Sequence, residues 1–600
     1  MDEGRLPAAL QDGRIDPVVL QIVKGALRSA QMEMETLLGR TAMSPFIREK
    51  KDYFVALFGP DARLVVGTSV PIFGGIVEPI LERYPADEMR PGDLYWYNDC
   101  YGSKGAVSHS PDQVFVAPVF ADGKLSGYAQ SWAHFNDIGG LRPGSLSPDA
   151  TEIFQEGVIV PPIRLMRDGV LNDEAMRIFV RNSRFPKMVT GDIRAAIAAV
   201  RLGERRMIEL FERFGRAIVL DAFAALFDET AAAVSRRFAE TFKPGTYRFA
   251  DSIDSDGHGN GPFAVRMEMT VRKDGLTIDA STSDDQAPGP VNFIMSHDVP
   301  RLVFGIYFLS HEPSVLLNAG ALRAVEEVRT RPGSLLEPRF PAPLGMRGMT
   351  LIRVMTTCLG LINVATGGKA VASSNVYVIY YLRGKEPRSG EPFLLTDGIA
   401  VGYGARTFAN GIDAVYLVAN ENYPAEFLDL SYPVRLLRYA INQDSGGPGR
   451  FRGGCGVIRE VEVLADEAML SIRIDSVTNP PWGVAGGQNG RGGRCVINPG
   501  RADEREVPPL SDGTILRRGD VMRIETGGGG GWGHPYDRDA ALVLADVLGG
   551  FVSPERARTD YGVALGADGR SVDEASTAAL RAKRFPTAMF HRGSYRDVLN

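Results

Sequence analysis

The chain has 600 residues, 44% of them hydrophobic and 23% charged, with a formal net charge of −6. That length exceeds what one hydrophobic core supports, so roughly two to four domains are expected, and the charge balance speaks against a disordered chain or a nucleic-acid binder. No uninterrupted apolar run approaches the length of a bilayer, and the opening MDEGRLPAALQDGR is acidic and polar where a signal peptide is basic and then apolar, which predicts a soluble, cytoplasmic protein without membrane contact.

Asp16-Pro17 opens the first predicted element, a helix with Val19, Ile22, Val23, Leu27 and Met32 at helical spacing and Pro at its first position. Tyr53 to Phe58, the turn GPDAR and Leu64 to Val66 read as a hairpin. A further strand, Leu94 to Tyr97, delivers the chain to Asn98-Asp99-Cys100 and a glycine-rich loop, GSKGAVSH. Gln113 to Phe120 and Ser126 to His134 then form two strands around the turn ADGK.

This hairpin carries the chemistry. Only seven His occur in the chain, and two of them, His109 and His134, each have an acid three positions on, Asp112 and Asp137. Imidazole with carboxylate suits a divalent ion of the Zn, Mn or Fe type. An antiparallel pair returns its outer ends to one edge of the sheet, which places Asp112 near His134. The remaining histidines, His258, His297, His311, His534 and His591, read as ordinary surface or core residues.

After Gly140, a Pro- and Gly-rich segment carries Glu152 and Glu156 one helical turn apart, where either could serve as a ligand or general base. Asp192 to Phe242 reads as two or three helices, and Lys243-Pro244-Gly245 marks a shift to strands separated by Asp-Gly turns. Helix is expected again at Pro300 to Leu309 and at Ala365 to Tyr381. The Gly-Gly-Lys at 367–369 is no phosphate loop, since Asn363 and Ala370 fail the pattern at both ends, so any nucleotide is expected on another chain. Strands follow at Val457 to Leu464, Met469 to Asp475 and Asp520 to Glu525. Glycine-rich stretches precede them at 397–406 and 443–456 and follow them at 527–531, the last of which lets backbone approach a ligand, a neighbouring chain or its own core. Four widely spaced cysteines, Cys100, Cys358, Cys455 and Cys495, without a CxxC pattern, fit reduced thiols. The fold class that results is α+β and multidomain: 1–245, a mixed metal-binding region ending in helices; 246–445, a mixed central domain; 446–600, a β-rich region with short terminal helices.

Taken together, NDCYG, HSPD, HFNDIGG, ATEIFQEG, DSGGPGRFRGG, PPWGVAGG and GGGGGWG, in this order, resemble the hydantoinase B/oxoprolinase B family, which also includes metal-binding subunits of acetone- and acetophenone-type ketone carboxylases. The resemblance spans nearly the whole chain and implies that His109, Asp112 and His134 hold the metal, with Asp137 orienting a ligand imidazole; Glu152 and Asp137 are the residues expected to assist catalysis. It further implies a hetero-oligomer with a hydantoinase A-like subunit that binds ATP and phosphorylates a small carbonyl substrate. The metal-bearing subunit would then direct hydrolysis of a cyclic amide, or alternatively carboxylation of a ketone, or serve as a non-catalytic scaffold. Cys100 stands where the family pattern has Pro, and Ala106-Val107-Ser108 where it has Gly-Gly-Thr, so Asp99, Cys100 and the loop behind them are expected to contact substrate.

Overall fold

The computed structural model describes residues 10–593 apart from 12–13, 69–73, 376–377 and 417–419. Helix α1 (Pro17–Thr41) begins as the sequence predicts, with the Asp16 side chain accepting from Val18 N at 2.8 Å and Val19 N at 3.2 Å. This cap satisfies two of the amides a helix start leaves open.

Seven antiparallel strands form the first sheet: β1 (Tyr53–Phe58), β2 (Leu64–Gly67), β3 (Leu94–Tyr97), β4 (Asp112–Ala121), β5 (Lys124–His134), β6 (Ile163–Arg167) and β7 (Val170–Leu171), in the order β2-β1-β5-β4-β3-β6-β7. Side chains alternate across it. Val55, Leu57, Phe115, Ala117, Ala129 and Ala133 face α1 and two long helices, α2 (Pro186–Phe214) and α3 (Arg216–Thr241). Phe54, Ala56, Tyr97, Val114, Val116, Tyr128 and Trp132 form the opposite face, itself buried under Ile76, Ile153 and Leu344. Asp112 and His134 continue that second face at one end of β4 and β5.

A second sheet runs β8 (Gly245–Ile253), β9 (Phe263–Val271), β10 (Leu276–Asp279) and β11 (Val325–Arg329), with β8 at its edge. Helix α4 (Arg347–Thr366) packs on β8 and β9. It corrects one expectation. Helix was expected at Ala365 to Tyr381, but α4 stops at Gly367, whose φ of +68° is left-handed, and Val378–Lys385 is a strand paired on both sides. Buried β-branched and aromatic residues there favour the pleated, doubly hydrogen-bonded setting; residues 376–377 lie outside the described ones. By length and mean composition α4 could cross a membrane, but Arg353 and Asn363 interrupt its apolar residues and most of it is buried in the second core.

Two further sheets, of four and five strands, fill most of the region from 378 to 525. Beside them the glycine-rich stretches meet. Residues 402–405, 446–454, 483–490 and 527–532 run as extended segments outside the named sheets for the most part, cross-linked by backbone bonds: Gly402 N to Gly527 O, Gly447 N to Gly529 O, Gly454 N to Tyr403 O, Gly529 N to Gly454 O and Gly531 N to Gln488 O, at 2.8–3.0 Å. A Cβ on Gly529 would lie 2.2 Å from the Tyr403 carbonyl, and one on Gly453 2.0 Å from Gly529 O. The run 527–531 therefore approaches its own core, in the way glycines admit close backbones at a crowded axis.

Candidate metal centre

Pairing of β4 with β5 puts Asp112 opposite His134, and the turn before β4, closed by Asp112 N to His109 O at 3.1 Å, folds His109 back over both. Three atoms converge: His109 Nε2 lies 2.8 Å from Asp112 Oδ1, His134 Nδ1 3.1 Å from His109 Nε2, and His134 Nδ1 3.2 Å from Asp112 Oδ1. All three residues are 3% exposed or less.

These separations fit a shared divalent cation. The circle through the three atoms has a radius of roughly 1.8 Å, inside the about 2.0–2.2 Å that imidazole and carboxylate ligands keep from such ions. Burial, seconded by the charge of Arg347, depresses His109 to about 3, so its ring is neutral and offers a lone pair. Burial alone would raise Asp112, but His109, His134 and Arg347 outweigh it and hold the carboxyl well below its ordinary range. Asp112 Oδ2 and His109 Nδ1 are buried without a hydrogen-bond partner among the described residues.

The surroundings come from distant parts of the chain. Arg347, first residue of α4, donates from Nε to Ser108 Oγ at 2.9 Å and places Nη2 3.5 Å from Asp112 Oδ2. The Phe46 ring lies 4.9 Å from that of His134, tilted by 54°. His134 N donates to Asp52 O at 3.1 Å, at the start of β1, and the Asp52 carboxyl is raised by burial, with His134 opposing and Asp112 adding. Sequence reasoning missed both Arg347 and Asp52. Asp52 precedes a strand whose pairing with β5 could have flagged it; Arg347, in PLGMRGM, carries no motif.

The other expected site residues are distributed differently. Asp137 is buried, but its carboxylate accepts from Gly144 N at 3.1 Å, Arg184 N at 2.7 Å and Arg184 Nη1 at 2.9 Å. It anchors the loop after β5 to α2's approach instead of orienting an imidazole, because backbone amides and a guanidinium satisfy both its oxygens. Of the two glutamates, Glu152 is half-buried, whereas Glu156 is fully buried, its Oε1 accepting from Leu344 N at 2.9 Å and Gly345 N at 2.6 Å. Burial pushes Glu156 up to about 8 despite those bonds and Arg347. Asp99 is half-buried and accepts from Gly102 N at 2.8 Å, shaping the loop. Cys100 is fully buried, and burial, with Glu156, Asp112 and Asp99 adding, drives its thiol well above its ordinary value. No surface of Cys100 is open to a substrate in this state.

Residues 16–535 match the family model for hydantoinase B/oxoprolinase. The chain belongs to that family. Within it, the chain is 32% identical over 602 residues to a protein of Pseudomonas sp. (strain NS671) named as the B component of a D-/L-hydantoinase, covering 95% of this chain and 98% of the relative. It is 30% identical to the beta component of the caprolactamase of Pseudomonas jessenii, over 95% and 99% of the two chains. In three dimensions this hydantoinase B/oxoprolinase chain is similar to the crystal structure of the ATP-dependent caprolactamase from P. jessenii, with TM-score 0.82, 28% identity and coverage of 95% and 100%. It also shares the fold of an acetone carboxylase in its nucleotide-free structure, with TM-score 0.81, 21% identity and coverage of 95% and 84%.

Proposed function

We propose that this chain is the metal-bearing subunit of an ATP-dependent complex that hydrolyses a cyclic amide, with ATP bound by a hydantoinase A-like partner. The observation that carries this reading is the buried convergence of His109, Asp112 and His134 in a chain so similar to the B component of a hydantoinase and the beta component of a caprolactamase. The three residues would hold a Zn, Mn or Fe ion. Such an ion would polarise a carbonyl and bring the acidity of water toward neutrality.

The chain's own residues supply the rest. His109, neutral at physiological pH, and ionised Asp112 present ligand atoms that need no proton removed. Arg347 fixes the unshared oxygen of Asp112 and the Ser108 hydroxyl, and Phe46 fixes the plane of His134. Burial keeps bulk water from the centre, which strengthens each electrostatic contact. Glu156, with its carboxyl raised to about 8, is able to hold and donate a proton near neutral pH. Asp99 and Cys100 belong to the loop that shapes the approach to the ion. Ketone carboxylation is the weaker reading, since the 21% likeness to acetone carboxylase carries the fold alone.

Elemental analysis of the purified chain and of His109→Ala tests the ion: the wild type should carry about one divalent metal and the variant little. Reconstitution with the ATP-binding partner tests the reaction, with ring-opened acid expected. Metal content indifferent to His109→Ala sinks the site, and a bicarbonate-dependent carboxylated product sinks the hydrolase reading.

A further inference from the structure

At the free edge of β8, far from the metal centre, lies a cavity of about 640 Å³, within the size range of small-molecule sites. Its apolar wall is made by Phe249 and Phe590, whose ring centroids are 4.8 Å apart, with Met267 and Val364. Its polar wall holds three guanidinium groups. Two of them are matched: Arg248 pairs with Glu268 at 2.6 Å and Arg266 with Asp284. Arg592 is not. Its guanidinium stacks 4.3 Å from the Phe249 ring centroid and donates from Nη1 to Ala250 O at 2.8 Å, with no carboxylate in contact among the described residues.

We propose that this cavity binds a small carboxylate with an apolar body, its carboxylate on Arg592 and its body against Phe249 and Phe590. A guanidinium offers five donors in a planar fork that a carboxylate matches in two places, and one bond to Ala250 leaves most of them unused. Partial burial disfavours the charge of Arg592, with Asp251 opposing only in part, so a bound anion relieves a standing cost. Glu268 and Asp279 also line the cavity, and their charges select a monoanion over phosphate.

The site stands apart from the metal reading. Val364, in the cavity wall, and Arg347, at the metal centre, sit near opposite ends of α4, roughly 26 Å apart at 1.5 Å per residue.

Calorimetric titration of the full chain with benzoate, with benzyl alcohol as the neutral counterpart, tests the proposal. Benzoate should bind saturably, at least about tenfold more weakly in Arg592→Met, and with unchanged affinity in His109→Ala, while benzyl alcohol gives no saturable signal. Absent benzoate binding, full affinity in Arg592→Met, or tighter binding of inorganic phosphate overturns it. Should Arg592→Met fail to fold, crystals of the wild type soaked in 4-bromobenzoate decide: bromine anomalous density in the cavity beside Phe249 and Phe590 supports the site, and density elsewhere or none overturns it.

Discussion

Replacement of Glu156 by Gln isolates the effect of one buried carboxyl. Its Oε1 takes two backbone amides and its Oε2 has no partner among the described residues, so the neutral acid and an amide occupy the site alike. The sign follows from the pKa: raised from 4.5 in the unfolded chain to about 8 in the fold, the carboxyl favours the folded state when protonated. That contribution is fully present below about pH 4.5 and is lost as pH rises through 8. A difference of 3.5 at about 1.4 kcal/mol per pH unit amounts to roughly 5 kcal/mol across that window. Denaturant unfolding of metal-free wild type and Glu156→Gln between pH 5 and 9 should therefore give curves that meet near pH 5 and diverge above it, with the variant the more stable at pH 9. Parallel curves, or a variant weaker at every pH, would refute the reasoning.

Gly529→Ala forces a Cβ to 2.2 Å from the Tyr403 carbonyl and should cost more than about 3 kcal/mol, seen as lost soluble yield or a lowered melting temperature. Gly25→Ala, on an exposed turn of α1 where the new Cβ meets no described atom within 4 Å beyond the local helix backbone and its chain neighbours, should instead stabilise by about 0.5–1 kcal/mol. Asp137→Ala removes a buried carboxylate bonded to two backbone amides and to the Arg184 guanidinium, and should destabilise by roughly 3–5 kcal/mol while metal content per folded chain stays unchanged; loss of metal would return Asp137 to the ion's support. All four cysteines are buried, and burial raises the thiol of each, so iodoacetamide at pH 7.5 should leave the native chain unlabelled by mass spectrometry until denaturant is added.

What could be read in advance followed short-range physics. Alternation around the turn ADGK located the β4–β5 hairpin, and antiparallel geometry alone brought Asp112 to His134. Arg347 was out of reach, because it meets Ser108 across 239 residues and nothing in its local sequence announces that meeting. The boundary of α4 was misplaced for a different reason: an apolar run without polar alternation serves a buried helix and a buried strand equally. Asp137 sat at the same spacing from His134 as Asp112 from His109, yet three residues past a strand end is a loop, and the loop turned its carboxylate toward Arg184. Composition of the glycine-rich stretches foretold close approach, while the identity of what approached depended on four segments far apart in the chain.

That meeting of glycine segments has a consequence for how such chains diverge. When two side chains collide, one can shrink to accommodate the other, and the pair can drift together. Where the obstacle to a Cβ is a peptide carbonyl, as at Gly453 and Gly529, the partner has nothing to give up. The GG pairs of DSGGPGRFRGG and the run GGGGGWG are therefore marks of architecture, to be expected in any chain that keeps this backbone crossing, whether or not it retains His109, Asp112 and His134.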